Sequence, residues 1–270
     1  MKNSQNTLEK YIEQLENKIL EQNFQLKAKS DEINSVIQSQ EKRMRKLNHN
    51  LKNPLGIIYS FSDMIIEDIE VYDADKLQKH VAIIKNAADF SIHFLNQTAK
   101  FSSITSPNVS FLFKKLNVVE LLNQVINKFD EVALKYKISI KRDFQVEKSM
   151  LLIDHEKLTI ALSNIISNAL RFSFENTTIV ISVGESKGNV EIVIADEGIG
   201  VGTDDLTNVF KEYYVISTYS VDKEKCVGLG LTIAEKIIQK HKGFISFESV
   251  LGKGSSVKIV FPKEDLDFIS

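Results

Sequence analysis

The chain has 270 residues, a formal charge of −2 and 43% hydrophobic residues, which is enough apolar material for real cores and excludes wholesale disorder. A near-neutral balance argues against nucleic acid as a partner, since gripping a phosphate backbone calls for a strongly basic surface. No run of about 18 apolar residues occurs, so no membrane span is expected, and a single cysteine, Cys226, fits a reducing, cytoplasmic setting.

Of the 11 glycines only Gly56 precedes residue 184, and proline occurs only at Pro54, Pro107 and Pro262. A chain free of breakers at one end and glycine-rich at the other reads as long helices followed by a loop-bearing α/β domain. Over residues 1–40, Leu8, Ile12, Leu15, Ile19, Leu26, Ile33 and Val36 follow alternating spacings of three and four, weakened at Gln22, Lys29 and Gln40. This heptad seam suits a coiled coil and hence a homodimer. The spacing slips near Met44, a stutter, and Leu47, Leu51 and Ile58 resume it. After the acidic turn Ile69–Asp75 a second amphipathic helix is expected, with Leu77, Val81, Ile84, Ala88, Ile92 and Leu95 as its stripe. Residues 41–104 then form an antiparallel helical hairpin, and two copies make a dimeric four-helix bundle. Residues 105–116, inside the Ser- and Pro-containing stretch from Ser103 to Leu116, read as an interdomain linker. Residues 117–265 read as a two-layer α/β sandwich. Helices are expected over Asn117–Tyr136, Asp154–Phe172 and Leu229–His241. Strands are expected over Ile138–Phe144, Met150–Ile153, Thr178–Val183, Val190–Ala195, Phe244–Ser249 and Ser256–Phe261.

Four constellations carry chemistry. In the first, Leu47 and Leu51 as core positions put His49 on the outward face, with Asn53 one turn later. Pro54 denies a partner to the Asn50 carbonyl, so a kink is expected beside His49. A neutral imidazole exposed there is a competent nucleophile. In the second, Asn164, Asn168 and Arg171 share a face at i, i+4 and i+7, away from the apolar stripe of Leu158, Leu162, Ile165, Ile166 and Ala169. Asparagine is a poor helix former, an amide oxygen suits Mg2+, and a guanidinium suits phosphate oxygens. In the third, Asp196-Glu197-Gly198-Ile199-Gly200 follows a strand. A carboxylate there can accept from the exocyclic amine of adenine, whereas guanine presents an oxygen. In the fourth, Gly228-Leu229-Gly230-Leu231-Thr232 opens a helix whose N-terminal N–H groups suit phosphate.

The order of these four, over roughly residues 40–262, resembles the histidine kinase family. NHNLKNPL is similar to its H-box, NIISNALRFS to the N-box, ADEGIGV to the G1 box and VFKEYY to the F-box. VGLGLTIAEKII and KGFISFESVLGKGSSVKIVFP are similar to the G2 box and closing strands. The resemblance implies a dimerisation and phosphoacceptor hairpin followed by an ATP-binding domain of the gyrase and MutL type. It implies that ATP and Mg2+ are used and that a response regulator receives phosphate from the kinase. By the same resemblance His49 is the phosphoacceptor, with Asn50 and Asn53 beside it in the catalytic group. Asn168 is the Mg2+ ligand and Asn164 its neighbour. Arg171 and Phe172 belong to the nucleotide pocket, Asp196 binds adenine, and Gly198 and Gly200 are its glycines. Phe210 and Tyr213 anchor a lid over Lys211–Val227. Gly228, Leu229, Gly230 and Leu231 form the phosphate loop, and Ser256 lies on the closing strand against the nucleotide.

Two positions depart from the family pattern. The residue after the phosphoacceptor is usually acidic, and here it is Asn50. Cys226-Val227 stands where many members carry Gly-Thr, and Cys226 reads as a small packing residue. Asn50 keeps three further readings open: a slow kinase, a phosphatase-biased one, and an ATP-sensing dimeric scaffold. A serine-directed kinase of the same superfamily would lack the His-bearing hairpin. Gyrase-like ATPases carry a Glu where this chain has Asn164, so transfer to a protein nucleophile is expected rather than hydrolysis.

Overall fold

The computed structural model describes residues 2–67, 72–106, 108–216 and 226–263, with side chains described at Leu15 and from residue 17 onward. The chain divides into two compact units, Met1–Ser91 and Ile92–Ser270.

The first unit is helical. With no glycine before Gly56, α1 (Lys2–Glu67) runs unbroken for 66 residues, about 100 Å at 1.5 Å per residue. Pro54 lies inside it and is buried, so the helix continues past the expected kink site despite the missing N–H. Leu15, Ile19, Leu26, Ile33 and Val36 are all exposed on the single chain, so the seam read from the sequence has no partner within it. Leu8 and Ile12 lie outside the residues whose side chains are described. The acidic turn Ile69–Asp75 falls partly outside the described residues. From Asp73 onward it caps α2 (Ala74–Thr105), the Asp73 carboxylate accepting from the Lys76 N–H at 2.7 Å.

Helix α2 carries two apolar faces, not one. Val81, Ile92 and Leu95 of the expected stripe are exposed. The buried positions are Ala87, Ser91, Phe94, Phe101 and Ile104, a second set at helical spacing.

In the second unit, β1 (Lys114–Asn117) pairs antiparallel with β3 (Met150–Ile153), so the end of the segment read as linker is a strand. Asn117 caps α3 (Val118–Asn127) by accepting from the Val119 N–H at 3.1 Å. Next come α4 (Asp130–Lys135), β2 (Ser139–Phe144) and α5 (His155–Phe172). They are followed by β4 (Thr178–Ser186), β5 (Asn189–Asp196), α6 (Thr203–Leu206) and α7 (Gly230–Lys240). The last strands are β6 (Phe244–Val250) and β7 (Gly254–Pro262). The main sheet has the order β2-β4-β5-β7-β6, with β2 parallel to β4 and the other neighbours antiparallel. Ile179, Ile181 and Val183, then Val190, Ile192 and Ile194, then Val257, Ile259 and Phe261 alternate along three strands and are buried. The apolar faces of α3, α5 and α7 cover that side, giving the expected two-layer α/β sandwich.

A buried junction ties the helices together at one end. Asp154 caps α5, its Oδ1 accepting from the Lys157 N–H at 3.0 Å, while Oδ2 accepts from the Leu112 N–H at 2.8 Å. The Asp154 N–H in turn donates to Nε2 of His241 at 2.9 Å, and His241 Nδ1 lies 2.8 Å from the Ile237 carbonyl at the end of α7. The His241 ring is boxed edge-on by Phe111, Phe113 and Phe261. Burial holds its imidazole below its ordinary value. The two nitrogens are satisfied by a neutral ring protonated at Nδ1. The junction fixes α5 and α7 together at the end away from the residues described next.

Candidate functional site

Beyond the Asp154 cap, Leu158, Ala161, Leu162, Ile165, Ile166 and Ala169 bury one side of α5. The same periodicity turns Asn164, Asn168 and Arg171 to the opposite side, where all three line an open cleft of about 190 Å³. Phe172, at the end of the helix, lines it too.

Asp196 ends β5 and forms another wall. Its Oδ1 accepts from the Gly198 N–H at 2.9 Å and from the Ser255 N–H at 3.2 Å, so Oδ2 remains for a ligand. Burial pushes this carboxyl up to about 6, against those two bonds, which pull it down. A half-buried carboxylate at a cleft wall is a candidate functional position. Register explains a correction. Ser255 lies opposite Asp196 and lines the cleft, whereas the expected Ser256 lies opposite Ala195 and does not.

Gly198 does not line the cleft either; it lets the loop close. A Cβ there would strike the Phe172 carbonyl, and the Ile199 N–H bonds to that same carbonyl at 3.0 Å. Gly200 does line the cleft. On the far side Gly228, Leu229, Gly230 and Leu231 enter together. Gly228 has φ of +73°, and a side chain there would meet the backbone of Tyr214. Gly230 begins α7 directly beside Asn168, with room between them. Leu229, the residue before α7, gives no side-chain cap, so the first N–H groups of this helix are available to an anion.

The two aromatic residues expected to anchor a lid have other contacts. The Phe210 carbonyl accepts from the Thr232 hydroxyl at 2.9 Å, tying its segment to α7. The Tyr213 ring stands 6.1 Å from that of Phe94, outside the cleft lining. Its neighbour Tyr214 lines the cleft instead, and its hydroxyl bonds to Asp205. Within the expected lid, residues 217–225 lie outside the described residues. Several lining residues were not read from the sequence: Ser167, Ile199 and Phe247, and, from α2, His93 and Gln97. No motif spacing announces the last two, because α2 reaches the cleft only through tertiary packing.

In the first unit His49 is exposed on α1, and its Nδ1 lies 3.5 Å from Oδ1 of Asn50, at the limit of hydrogen bonding. Asn53, one turn on, is exposed as well.

Residues 153–265 match the histidine kinase-, DNA gyrase B-, and HSP90-like ATPase family. The chain is 29% identical over 234 residues to the sensor histidine kinase WalK of Bacillus subtilis, an overlap of 84% of this chain and 37% of that protein. Over most of its length the chain is similar to sensor histidine kinases, and its C-terminal part carries the ATPase domain just named. Its fold is that of solved histidine kinases. The structure of the kinase ThkA in complex with response regulator protein TrrA matches with a TM-score of 0.66 at 21% identity, over 82% of this chain and 61% of that one. Full-length ShkA in complex with AMPPNP matches with a TM-score of 0.58 at 20% identity, over 82% of this chain and 45% of that one. The chain spans well under half the length of the curated family members it matches, from 24% to 43%. Among the described residues no helix is long and apolar enough to cross a membrane.

The cleft gathers groups suited to a nucleotide. They are a carboxylate acceptor in Asp196, amide oxygens in Asn164 and Asn168, a guanidinium in Arg171, and a helix N-terminus opened by glycines. Adenine, a divalent cation and a polyphosphate each find a complementary group there.

Proposed function

We propose that this chain is the kinase part of a two-component sensor. In this reading it moves the γ-phosphoryl group of ATP to His49 and then to an aspartate of a response regulator. The observation that carries it is the Asp196 wall: a half-buried carboxylate with one oxygen already bound by two backbone donors and the other left for an adenine amine. ThkA, similar in fold, is solved with a response regulator, which supports the same class of partner here. Asn168, beside the start of α7, fits a Mg2+ ligand, with Asn164 next to it. The cation would neutralise charge on the phosphate oxygens.

His49 supplies the nucleophile. The Nδ1 contact to Asn50 favours the tautomer that carries its proton at Nδ1 and leaves the Nε2 lone pair outward. Nε2 attacks the γ-phosphorus; the new N–P bond forms as the bridging O–P bond breaks and ADP leaves. The Nδ1 proton must then go to solvent, because the Asn50 amide accepts a hydrogen bond but not a proton. This favours a slow kinase, and the exposed Asn53 supports a share of phosphatase activity, since an amide there can orient water toward a phosphorylated partner.

Homodimerisation belongs to the same reading. The exposed seam Leu15, Ile19, Leu26, Ile33 and Val36, and the exposed Val81, Ile92 and Leu95 on α2, are the faces a second copy would cover. Incubation with γ-labelled ATP, followed by addition of receiver domains from the same genome, tests the function. Label should appear on the kinase, be lost in acid and chase to one receiver. Acid-stable label, or none, would reject it.

A further inference from the structure

Away from the nucleotide cleft a second pocket of about 230 Å³ lies in the same compact unit. The whole of β3, from Met150 to Ile153, borders it. Successive strand side chains point to opposite faces, so a cavity that touches all four residues runs along the backbone edge. Among the described residues the small sheet holds only β1 and β3, which leaves β3 one edge with no strand beside it. The ladder says which groups that edge presents. The Val118 N–H donates to the Ser149 carbonyl at 2.9 Å, so Leu151 and Ile153 also turn their backbone groups to β1. Those of Met150 and Leu152 turn the other way, as the Asp154 N–H does toward Nε2 of His241.

Such an edge is hydrated in any open sheet and by itself points to nothing. The chemistry around it does. Phe113, Leu152 and Pro262 give the pocket an apolar wall, and Lys115, Lys240 and Lys242 give it positive charge. Among the described residues no carboxylate lines it. Two acids close in sequence or space are committed elsewhere: Asp154 caps α5, and Glu185 holds Lys263 at 2.6 Å and the Ser149 hydroxyl at 2.7 Å. That shared carboxylate sets Lys263, where the described chain ends, beside the start of β3. The sequence continues Glu-Asp-Leu-Asp-Phe-Ile-Ser over residues 264–270, which lie outside the described residues. Its acids, Glu264, Asp265 and Asp267, complement the lysines, and Leu266, Phe268 and Ile269 complement the apolar wall. Extended, it reaches about 23 Å, enough to run the length of β3.

We propose that residues 264–270 fold back across this pocket and pair along the open edge of β3, with Leu266 and Phe268 on the apolar wall and the carboxylates beside the lysines. In an extended segment Leu266 and Phe268 share one face, which suits a single apolar wall. The occupant is this chain's own segment because it is tethered at the pocket's rim, which gives it an effective concentration that a free acidic peptide does not match. The docked segment covers His241 and its aromatic box, and so closes the junction of α5 and α7 from outside.

The test is amide hydrogen exchange of the full chain, resolved to single residues by NMR. Leu152 is the reporter, and Leu151, paired with β1, is the control. The Leu152 N–H should exchange about tenfold or more slowly in the wild type than in Phe268→Ser, with Leu151 equal in the two. Lys240→Glu should speed Leu152 in the same way, and so should added salt, which screens exposed charge pairs. Equal Leu152 rates in wild type and Phe268→Ser would overturn the inference: fast in both means an open edge, slow in both a different occupant. Protection that grows with protein concentration would also overturn it, assigning the segment to a second copy. A matching acceleration of Leu151 would count against it as well, because the substitution would then loosen the whole sheet.

Discussion

Asp196→Asn should make the ligand-free protein more stable and unable to respond to nucleotide. The carboxyl stands at about 6 in the fold against 3.8 for an unperturbed group, which corresponds to about 3 kcal/mol disfavouring the ionised form. Because the native value is raised, the stability associated with this group is fully present below pH 3.8. It is lost as pH rises through about 6, so at pH 7.5 the wild type carries the full cost. An asparagine keeps the carbonyl oxygen that accepts from Gly198 and Ser255 and removes the charge. Allowing for weaker bonds to a neutral acceptor, the expected gain is about 1–3 kcal/mol. For a unit of this size that is about 2–12 °C in melting temperature. The assay is thermal unfolding of both proteins from pH 4.5 to 8, with and without Mg-AMPPNP. The gap should open with rising pH, and only the wild type should shift with nucleotide. A variant less stable than wild type at pH 7.5 would refute the reasoning, because the carboxylate would then be a net stabiliser.

Other expectations follow from single contacts. Asn168→Ala should abolish Mg-AMPPNP binding in calorimetry while leaving the sedimentation coefficient unchanged; retained affinity would remove Asn168 from the site. Asn50→Asp should accelerate autophosphorylation, since a missing general base costs about 10²–10⁴-fold in rate; equal initial labelling rates at saturating Mg-ATP would mean that the proton has another acceptor. His241→Ala orphans the Asp154 N–H and empties the space its ring fills beside Phe111, Phe113 and Phe261, so roughly 2–4 kcal/mol should be lost in urea unfolding. Burial depresses the His241 value, so its stability contribution is present above pH 6.5 and falls as pH drops through the native value. The variant should therefore show a weaker acid dependence than wild type. An unchanged acid slope would contradict the assignment.

The four motifs were legible in the sequence because each carries its geometry locally. Asn164, Asn168 and Arg171 share a face by helical periodicity alone, and glycines at 228 and 230 announce a backbone that approaches a ligand. What was illegible depends on contacts distant in sequence. Leu112 and Asp154 are 42 residues apart and Asp154 and His241 are 87, so their junction leaves no local signal. Ser256, expected from the sequence, stands next to Ser255, which lines the cleft, and one residue along a strand reverses the facing side. On α2 the sequence offers two apolar stripes. The one through Ile92 and Leu95 was read, while Phe94, Phe101 and Ile104 are the residues buried within the chain. Gln97 was missed for the same reason.

The central claim is that the γ-phosphoryl group of ATP comes to rest on His49. Its most direct test is site mapping of the protein after Mg-ATP treatment, by mass spectrometry of peptides kept at alkaline pH, with His49→Gln alongside. The account predicts a single phosphorylated position, His49, in wild type and none in the variant. Phosphate on another residue, or undiminished phosphorylation of His49→Gln, would contradict it.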